Sequence, residues 1–240
     1  MRIWAHRGCS LRFPENTLEA FEAACKVKGL TGIELDIHFT ADKEIVVCHD
    51  EKVDRTTDGI GKINSFSLKD LKKLRITMPG NAFTSIPTVQ EVLDLLEPKL
   101  KEGFLLNIEM KTNVIRYDGI EEKILCEIER RNLIEAVVFS SFWSDSVHMV
   151  KQLNPAARTG MLAVTLSECA KWTARNNADA LHPSAGGLDL TGEAVSGKII
   201  RVWNNEPLFP AKPLAQPLDL DGLAAKGATD VFTNEPERYL

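Results

Sequence analysis

The segment GIELDIHFTADKEIVVCHD, residues 32–50, sets Glu34, Asp36 and His38 two residues apart in an otherwise apolar run and follows them with His49 and Asp50. Side chains alternate along a strand, so Glu34, Asp36 and His38 share one face while Ile33, Leu35 and Ile37 share the other. Same-face Cα atoms are then roughly 6 to 7 Å apart, close enough for two carboxylates to converge on one ion. Like charges gathered in a protein interior are costly unless their pKa values rise or a cation neutralises them. A second run, GFLLNIEMK (103–111), ends with Glu109 and Lys111 on a common face. Singly, each acid reads as a strand-end ion pair; together, Glu34, Asp36 and Glu109 form an all-oxygen set suited to Mg²⁺ or Ca²⁺ rather than zinc. His6 and Arg7 close the first apolar run, RIWAH. Acids, a hard cation, Arg7, Lys111 and the imidazoles of His6 and His49 suit a phosphate ester: cation and arginine stabilise non-bridging oxygens, and imidazoles move protons near neutral pH. No G-x-S-x-G competes, and Cys9 has only its nearness to His6 in its favour.

These residues need a scaffold that brings strand ends together. Eight β-rich apolar runs recur with helical patterns between them: RIWAH, GIELDIH, GFLLNIEM, AVVFSS, ARTGMLAV, ADALHPS, KIIRVWN and ATDVFTN. Several are apolar on both faces, as strands buried between helices are, and the alternation argues for a parallel sheet. A closed (β/α)₈ barrel fits eight such units, and an open doubly wound sheet fits the same pattern. No G-x-G-x-x-G follows the first run, which disfavours a dinucleotide site. Asn16 with Glu19, Thr88 with Glu91 and Asp118 with Glu121 predict capped helices over 16–28, 89–97 and 119–131. Further helices are expected over 144–153, 166–176 and 218–226, while Gly192 and Gly197 bracket a stunted pattern. EIVVCHD adds a strand, residues 51–87 form an insertion after the second strand, and the proline-rich run 205–217 reads as an irregular loop. Long connections of this kind on a barrel are usually functional.

The 240 residues, 44% hydrophobic, suffice for one domain with one sizeable core, taken here as 1–240. A formal net charge of -5 lacks the basic excess that steers a chain to nucleic acid or anionic lipid. The five cysteines are scattered, with no C-x-x-C, and read as reduced core thiols. There is no secretory pattern and no apolar run of membrane-spanning length, so a cytoplasmic protein without stable membrane association is expected.

At the residues singled out above, the sequence resembles the glycerophosphodiester phosphodiesterase family. The resemblance is carried by AHRG (5–8), PENT (14–17), ELDIHFTADKEIVVCHD (34–50), DRTTDGIG (54–61), IPTVQEVL (86–93) and NIEMK (107–111), in the family's order. It continues more weakly through FSSF (139–142), VW (202–203) and TDVFTNEP (229–236). It implies a TIM barrel with a small insertion after the second strand, hydrolysing glycerophosphodiesters to glycerol 3-phosphate and an alcohol. Carried over by motif, His6 is the general base, His49 the general acid, Glu34, Asp36 and Glu109 the ligands of one Mg²⁺ or Ca²⁺, and Arg7 and Lys111 the phosphate contacts. Trp203 reads as a wall for glycerol carbons or as core. His38 reads as structural or as standing behind the ligands, and His148 as surface. His182 takes no role; Glu15 and Asn16 read as starting a helix, with Asn16 alternatively holding an active-site loop, and Arg55 braces the insertion. Asp50 is expected to orient His49 only indirectly, because neighbours in a strand face opposite ways. Where the family usually has W-T-V-N, this chain has WNNE (203–206), which bears on substrate preference. Two rival functions follow from the same residues: a lysophospholipid-directed phosphodiesterase, and a silent barrel that binds phosphorylated ligands. Head group, ion and oligomeric state have no signature in the chain.

Overall fold

The computed structural model describes residues 1–194 and 196–240. Eleven strands are present among them: β1 (Arg2–His6), β2 (Gly32–Phe39), β3 (Ile45–Val47), β4 (Ile76–Thr77), β5 (Phe83–Thr84), β6 (Leu105–Met110), β7 (Val137–Ser141), β8 (Arg158–Leu162), β9 (Ala180–His182), β10 (Ile199–Val202) and β11 (Asp230–Thr233). Eight of them, β1, β2 and β6 to β11, pair in parallel, and β1 bonds both β2 and β11. The sheet is therefore a closed barrel, and all eight apolar runs are its staves. Closure decides against the open doubly wound alternative. The helices are α1 (Leu18–Cys25), α2 (Leu68–Leu71), α3 (Val89–Lys101), α4 (Ile120–Arg130), α5 (Ser144–Leu153), α6 (Leu166–Asn176) and α7 (Leu220–Ala225). Between β9 and β10 the chain makes 3₁₀ turns at Ala185–Gly187 and Gly192–Ala194 instead of a full helix, as the two glycines foretell; Val195 lies outside the described residues.

Along β2 every residue is buried, with Ile33, Leu35 and Ile37 in the core that also holds Phe21, Val92, Leu93 and Leu96. The opposite face turns Glu34, Asp36 and His38 into the barrel. Two of the predicted caps differ. Thr17, not Asn16, caps α1, its hydroxyl accepting from the Ala20 amide, because Asn16 adopts a left-handed φ of 57° and turns elsewhere. Gly119, also left-handed, precedes α4 with no side-chain cap, and Asp118 does not serve. Thr88 and Glu91 do form the reciprocal box, and α3 runs on through Pro98 to Lys101.

The insertion after β3 carries α2 and the β4–β5 hairpin. It has its own small core, in which Val53, Ile63, Leu71, Ile76 and Ile86 pack on Val46 and Cys48. Each such buried aliphatic side chain contributes on the order of 1.5–3 kcal/mol of transfer free energy, so the insertion is a packed body and not a floppy loop. Residues 205–217 contain neither helix nor strand.

Candidate active site

Strand register explains why residues far apart in sequence meet. His6 aligns with Glu34 across β1–β2, and Glu34 with Asn107 and Asp36 with Glu109 across β2–β6. Aligned residues of neighbouring parallel strands point to one side, so two inward layers form, with the acids spread over both. One carboxylate oxygen from each of Glu34, Asp36 and Glu109 lies within 4.8 Å of the others, and all three residues are buried. Burial, then repulsion from Asp36 and Glu109, raises the Glu34 pKa well above the usual carboxylate range. Burial pushes Asp36 the same way, but the basic groups around it and a hydrogen bond from Asn16 outweigh that and hold it low. Glu34 Oε1 and Asp36 Oδ1 are buried without any hydrogen-bond partner. Converging buried carboxylates, two of them with a partnerless oxygen, are what a hard cation would satisfy, so the residues fit a divalent ion.

Two imidazoles flank this cluster, each held at Nδ1. The His6 Nδ1 lies 2.7 Å from Asn234 Oδ1. The Asn234 amide nitrogen already donates to the carbonyls of Glu206 (3.1 Å) and Pro207 (3.0 Å), so its oxygen accepts and His6 carries its proton on Nδ1. Nε2 is then left as the lone pair, 3.8 Å from Glu34 Oε2. Burial and the nearby Arg7 charge lower the His6 pKa to about 3, so the ring is neutral. The His49 Nδ1 lies 2.7 Å from Asp50 Oδ1, and its Nε2 is 3.2 Å from Lys111 Nζ. This direct contact replaces the indirect one expected from strand alternation, because β3 ends at Val47 and residues 49–50 form a bend in which neighbours need not diverge. His38 is fully buried and joins Tyr117 Oη (3.0 Å) to the His49 carbonyl (3.1 Å), fixing the backbone that carries His49.

Arg7 and Gly8 follow β1 with φ of 58° and 83°. A Cβ on Gly8 would fall 2.6 Å from the Ala20 carbonyl carbon, so glycine is required for the loop to lie on α1. The turn aims the Arg7 amide at Glu34 Oε2 (3.2 Å) and its guanidinium at Glu15 (2.8 Å) and Asp36 (3.3 Å). Lys111 Nζ meets Glu109 Oε1 at 2.8 Å and Asp36 Oδ1 at 3.8 Å. Burial opposes its charge, but these two carboxylates raise its pKa. Asn16 Nδ2 donates to Asp36 Oδ2 at 2.9 Å, so the residue expected to cap α1 holds an acid of the cluster instead.

The sequence model of the glycerophosphoryl diester phosphodiesterase family matches residues 6–192. The chain is 38% identical over 242 residues to the glycerophosphodiester phosphodiesterase of Caldanaerobacter subterraneus subsp. tengcongensis, covering 99% of this chain and 96% of that one. The chain belongs to the glycerophosphoryl diester phosphodiesterase family. A second relative, the glycerophosphodiester phosphodiesterase of Bacillus altitudinis, is 30% identical over 99% of this chain and 96% of its own. Among solved structures, the fold is shared with an Oleispira antarctica phosphodiesterase solved with the product sn-glycerol-3-phosphate: TM-score 0.76, 24% identity, 99% of this chain and 94% of that one. It is shared also with the glycerophosphodiester phosphodiesterase of Thermotoga maritima: TM-score 0.73, 24% identity, 99% of this chain and 96% of that one.

Within this family member the cluster opens into a cavity of about 160 Å³. Its lining combines the charged and imidazole groups of the cluster with Phe142, Leu162, Trp203 and Phe232, and with Asn204 and Asn205 beside Trp203. Asp36 is fully buried behind them. Trp203 stands edge-on to Phe142, ring centroids 5.9 Å apart, and its Nε1 donates to the His182 carbonyl at 3.1 Å. Sequence reasoning left four features unassigned. His182, fully buried, borders the cavity and accepts from Arg201; burial, then Arg201, holds its pKa well below the ordinary value. Phe142 and Asn107 line the cavity, and Asn234 holds His6. TNEP (233–236) carries Asn234, but an asparagine after a strand gives no sign of the imidazole it will meet. Of the five histidines, only His148 is exposed, as its helical position implied.

Proposed function

We propose that this chain hydrolyses glycerophosphodiesters to glycerol 3-phosphate and an alcohol. The observation that carries this reading is the cavity's lining: three converging carboxylates, two of them with unsatisfied oxygens, and two imidazoles, each tied at Nδ1, with Arg7 and Lys111 beside them. The product bound in the Oleispira relative is sn-glycerol-3-phosphate, which supports the same substrate class here. Glu34, Asp36 and Glu109 would hold Mg²⁺ or Ca²⁺. A divalent ion bound there supplies charge that stabilises the phosphoryl oxygens. Arg7 and Lys111 orient the anionic phosphate. His6, neutral and presenting Nε2, takes a proton from water or from the neighbouring glycerol hydroxyl. His49, whose Nε2 accepts from Lys111 in the resting arrangement, takes up a proton from solvent at Nε2 as Lys111 turns to the phosphate and passes it to the departing alkoxide, with Asp50 keeping the ring in register. Trp203 and Phe142 give the glycerol carbons an apolar wall.

Turnover of glycerophosphocholine, followed with and without EDTA, tests the reading. Activity falls to background on chelation and returns with Mg²⁺ or Ca²⁺; His6→Ala and Glu109→Gln each lose about 10²- to 10⁴-fold in kcat. Full rates in either variant would refute the assignment, and binding without turnover in the untreated protein would make the chain a silent binding barrel.

A second reading has lysophospholipid as substrate. It draws on Val114, Trp143 and Val164, which are 67%, 42% and 59% exposed and stand on consecutive loops after β6, β7 and β8, on the face that carries the cavity. A higher kcat/KM for lysophosphatidylcholine than for glycerophosphocholine would establish it. Among the described residues no helix is long and apolar enough to cross a membrane.

A further inference from the structure

We infer that Arg55, on the insertion, is a positioning residue that sets the aim of His49 through Asp50 and of Arg7 through Glu15. This rests on the two-imidazole reading above. The Arg55 guanidinium spends all three nitrogens on two carboxylates. Nε reaches Asp50 Oδ2 at 2.7 Å and Nη2 reaches Asp50 Oδ1 at 3.0 Å; Nη2 also reaches Glu15 Oε1 at 2.9 Å, and Nη1 bonds Glu15 Oε2. Each carboxylate has a second partner inside the site. Asp50 Oδ1 holds His49 Nδ1 (2.7 Å), and Glu15 Oε1 accepts from Arg7 (2.8 Å). Arg7 in turn approaches Asp36, and His49 meets Lys111, which returns to Asp36 and Glu109. The contacts close into a ring, of which Arg7, His49 and Lys111 line the cavity, alternating in charge except where His49 faces Lys111, and Arg55 is the only member drawn from the insertion.

The ring has a rigid base. Arg55 sits in a turn closed by the Thr57 amide on the Val53 carbonyl (3.0 Å), and Val53 is fully buried in the insertion's own core. The Arg55 side chain is 44% exposed, and an ion pair so open to water contributes little to stability. A planar fork bridging two carboxylates does fix direction, which a lysine point charge cannot reproduce. Without it, Asp50 is released toward solvent and the imidazole is free to rotate about its ring axis; Glu15, buried, keeps only Arg7. PENT and DRTT therefore act together, as the two carboxylate-facing ends of one brace.

The test uses the full chain with its divalent ion supplied and two substrates. Glycerophosphocholine releases an alkoxide that needs a proton, whereas a p-nitrophenyl phosphodiester releases a phenolate that does not. Arg55→Ala is expected to lower kcat 10- to 100-fold on the first and less than threefold on the second, while KM rises alike on both through the loosened Arg7. Arg55→Lys recovers only a small part. In an Asp50→Asn background Arg55→Ala adds less than threefold in kcat, because both act through the same imidazole. Equal kcat losses on the two substrates, additive losses in the double variant, or an unchanged rate would each overturn the inference. If Arg55→Ala does not fold, the nearly isosteric Asp50→Asn decides the same question through its own pair of substrate rates. His49→Ala separates this from failure of the underlying reading. If His49→Ala is selectively impaired on glycerophosphocholine and Arg55→Ala is not, only the role of Arg55 falls; if His49→Ala is unimpaired, both fall.

Discussion

His6 and His49 face one cavity from opposite supports. His6 is held from the C-terminal side of the chain by neutral groups: Asn234 gives its oxygen, and the loop after β10 accepts the Asn234 amide hydrogens. His49 is held from the insertion by charge, with Asp50 and then Arg55 behind it. The imidazole assigned to take a proton thus has a neutral partner whose pull toward protonation is outweighed by burial and the Arg7 charge, and the one assigned to give a proton has a carboxylate. A single barrel face can support both roles because two long connections, one packed and one irregular, reach it from different parts of the chain.

The sharpest way to break this contrast is at Asn234. Asn234→Leu leaves His6 Nδ1 buried without a partner and removes the choice of tautomer. The expected result is a 10- to 100-fold fall in kcat on both an alkyl and a p-nitrophenyl phosphodiester, unlike the leaving-group selectivity expected at Arg55, together with about 1–3 kcal/mol of stability lost to the unsatisfied groups. A substrate-selective loss instead would mean that the two supports serve the same proton and that the comparison is false. Steady-state rates and urea unfolding measure both quantities.

Much of this arrangement could be read from residue order. Alternation along β2 put Glu34, Asp36 and His38 on one face, and the eight apolar runs placed the ends of β1, β2 and β6 on a common rim. What alternation could not supply was the geometry of the bends. Asn16 and Arg7 take left-handed φ, so Asn16 leaves the helix cap it seemed built for and bonds Asp36 instead. Asp50 reaches its neighbour's ring because the strand has already ended. Glu15, in the loop after β1, and Arg55, on the insertion, lie 40 positions apart, and no periodicity encodes how the insertion docks, so nothing in the residue order pairs them.

Glu15 sharpens the contrast on the charged side. Burial alone would raise its pKa, but hydrogen bonds from Arg55 and Arg7 outweigh burial and hold it below the usual value. A carboxyl whose folded pKa is depressed contributes stability that is present above its unfolded pKa, about 4.3, and is lost as pH falls through the folded value. Glu15→Gln is therefore expected to lower stability by about 2 kcal/mol at pH 7. The gap between wild type and variant closes as pH drops below about 4. A gap independent of pH in chemical unfolding would mean that the insertion is not held by charge.

Glu206 offers the opposite sign and the smallest effect. Its Oε2 accepts from the Asn234 backbone N–H (2.6 Å) and the Thr233 hydroxyl (2.8 Å), while Oε1 is buried with no partner. Among the described residues no side-chain cation bonds it, and burial raises its pKa. Its folded pKa lies above the unfolded one, so wild-type stability is fullest below the unfolded value and declines as pH rises through the folded value. Gln keeps one carbonyl acceptor for both donors and removes the desolvated charge. Glu206→Gln is expected to be more stable than wild type at pH 7 by about 0.5–1 kcal/mol, a margin set by the desolvation of one partly solvated carboxylate and shrinking to nothing near pH 4. If Glu206→Gln were instead destabilised at neutral pH as Glu15→Gln is, the support of His6 would depend on charge as that of His49 does, and the difference between the two sides of the cavity would disappear.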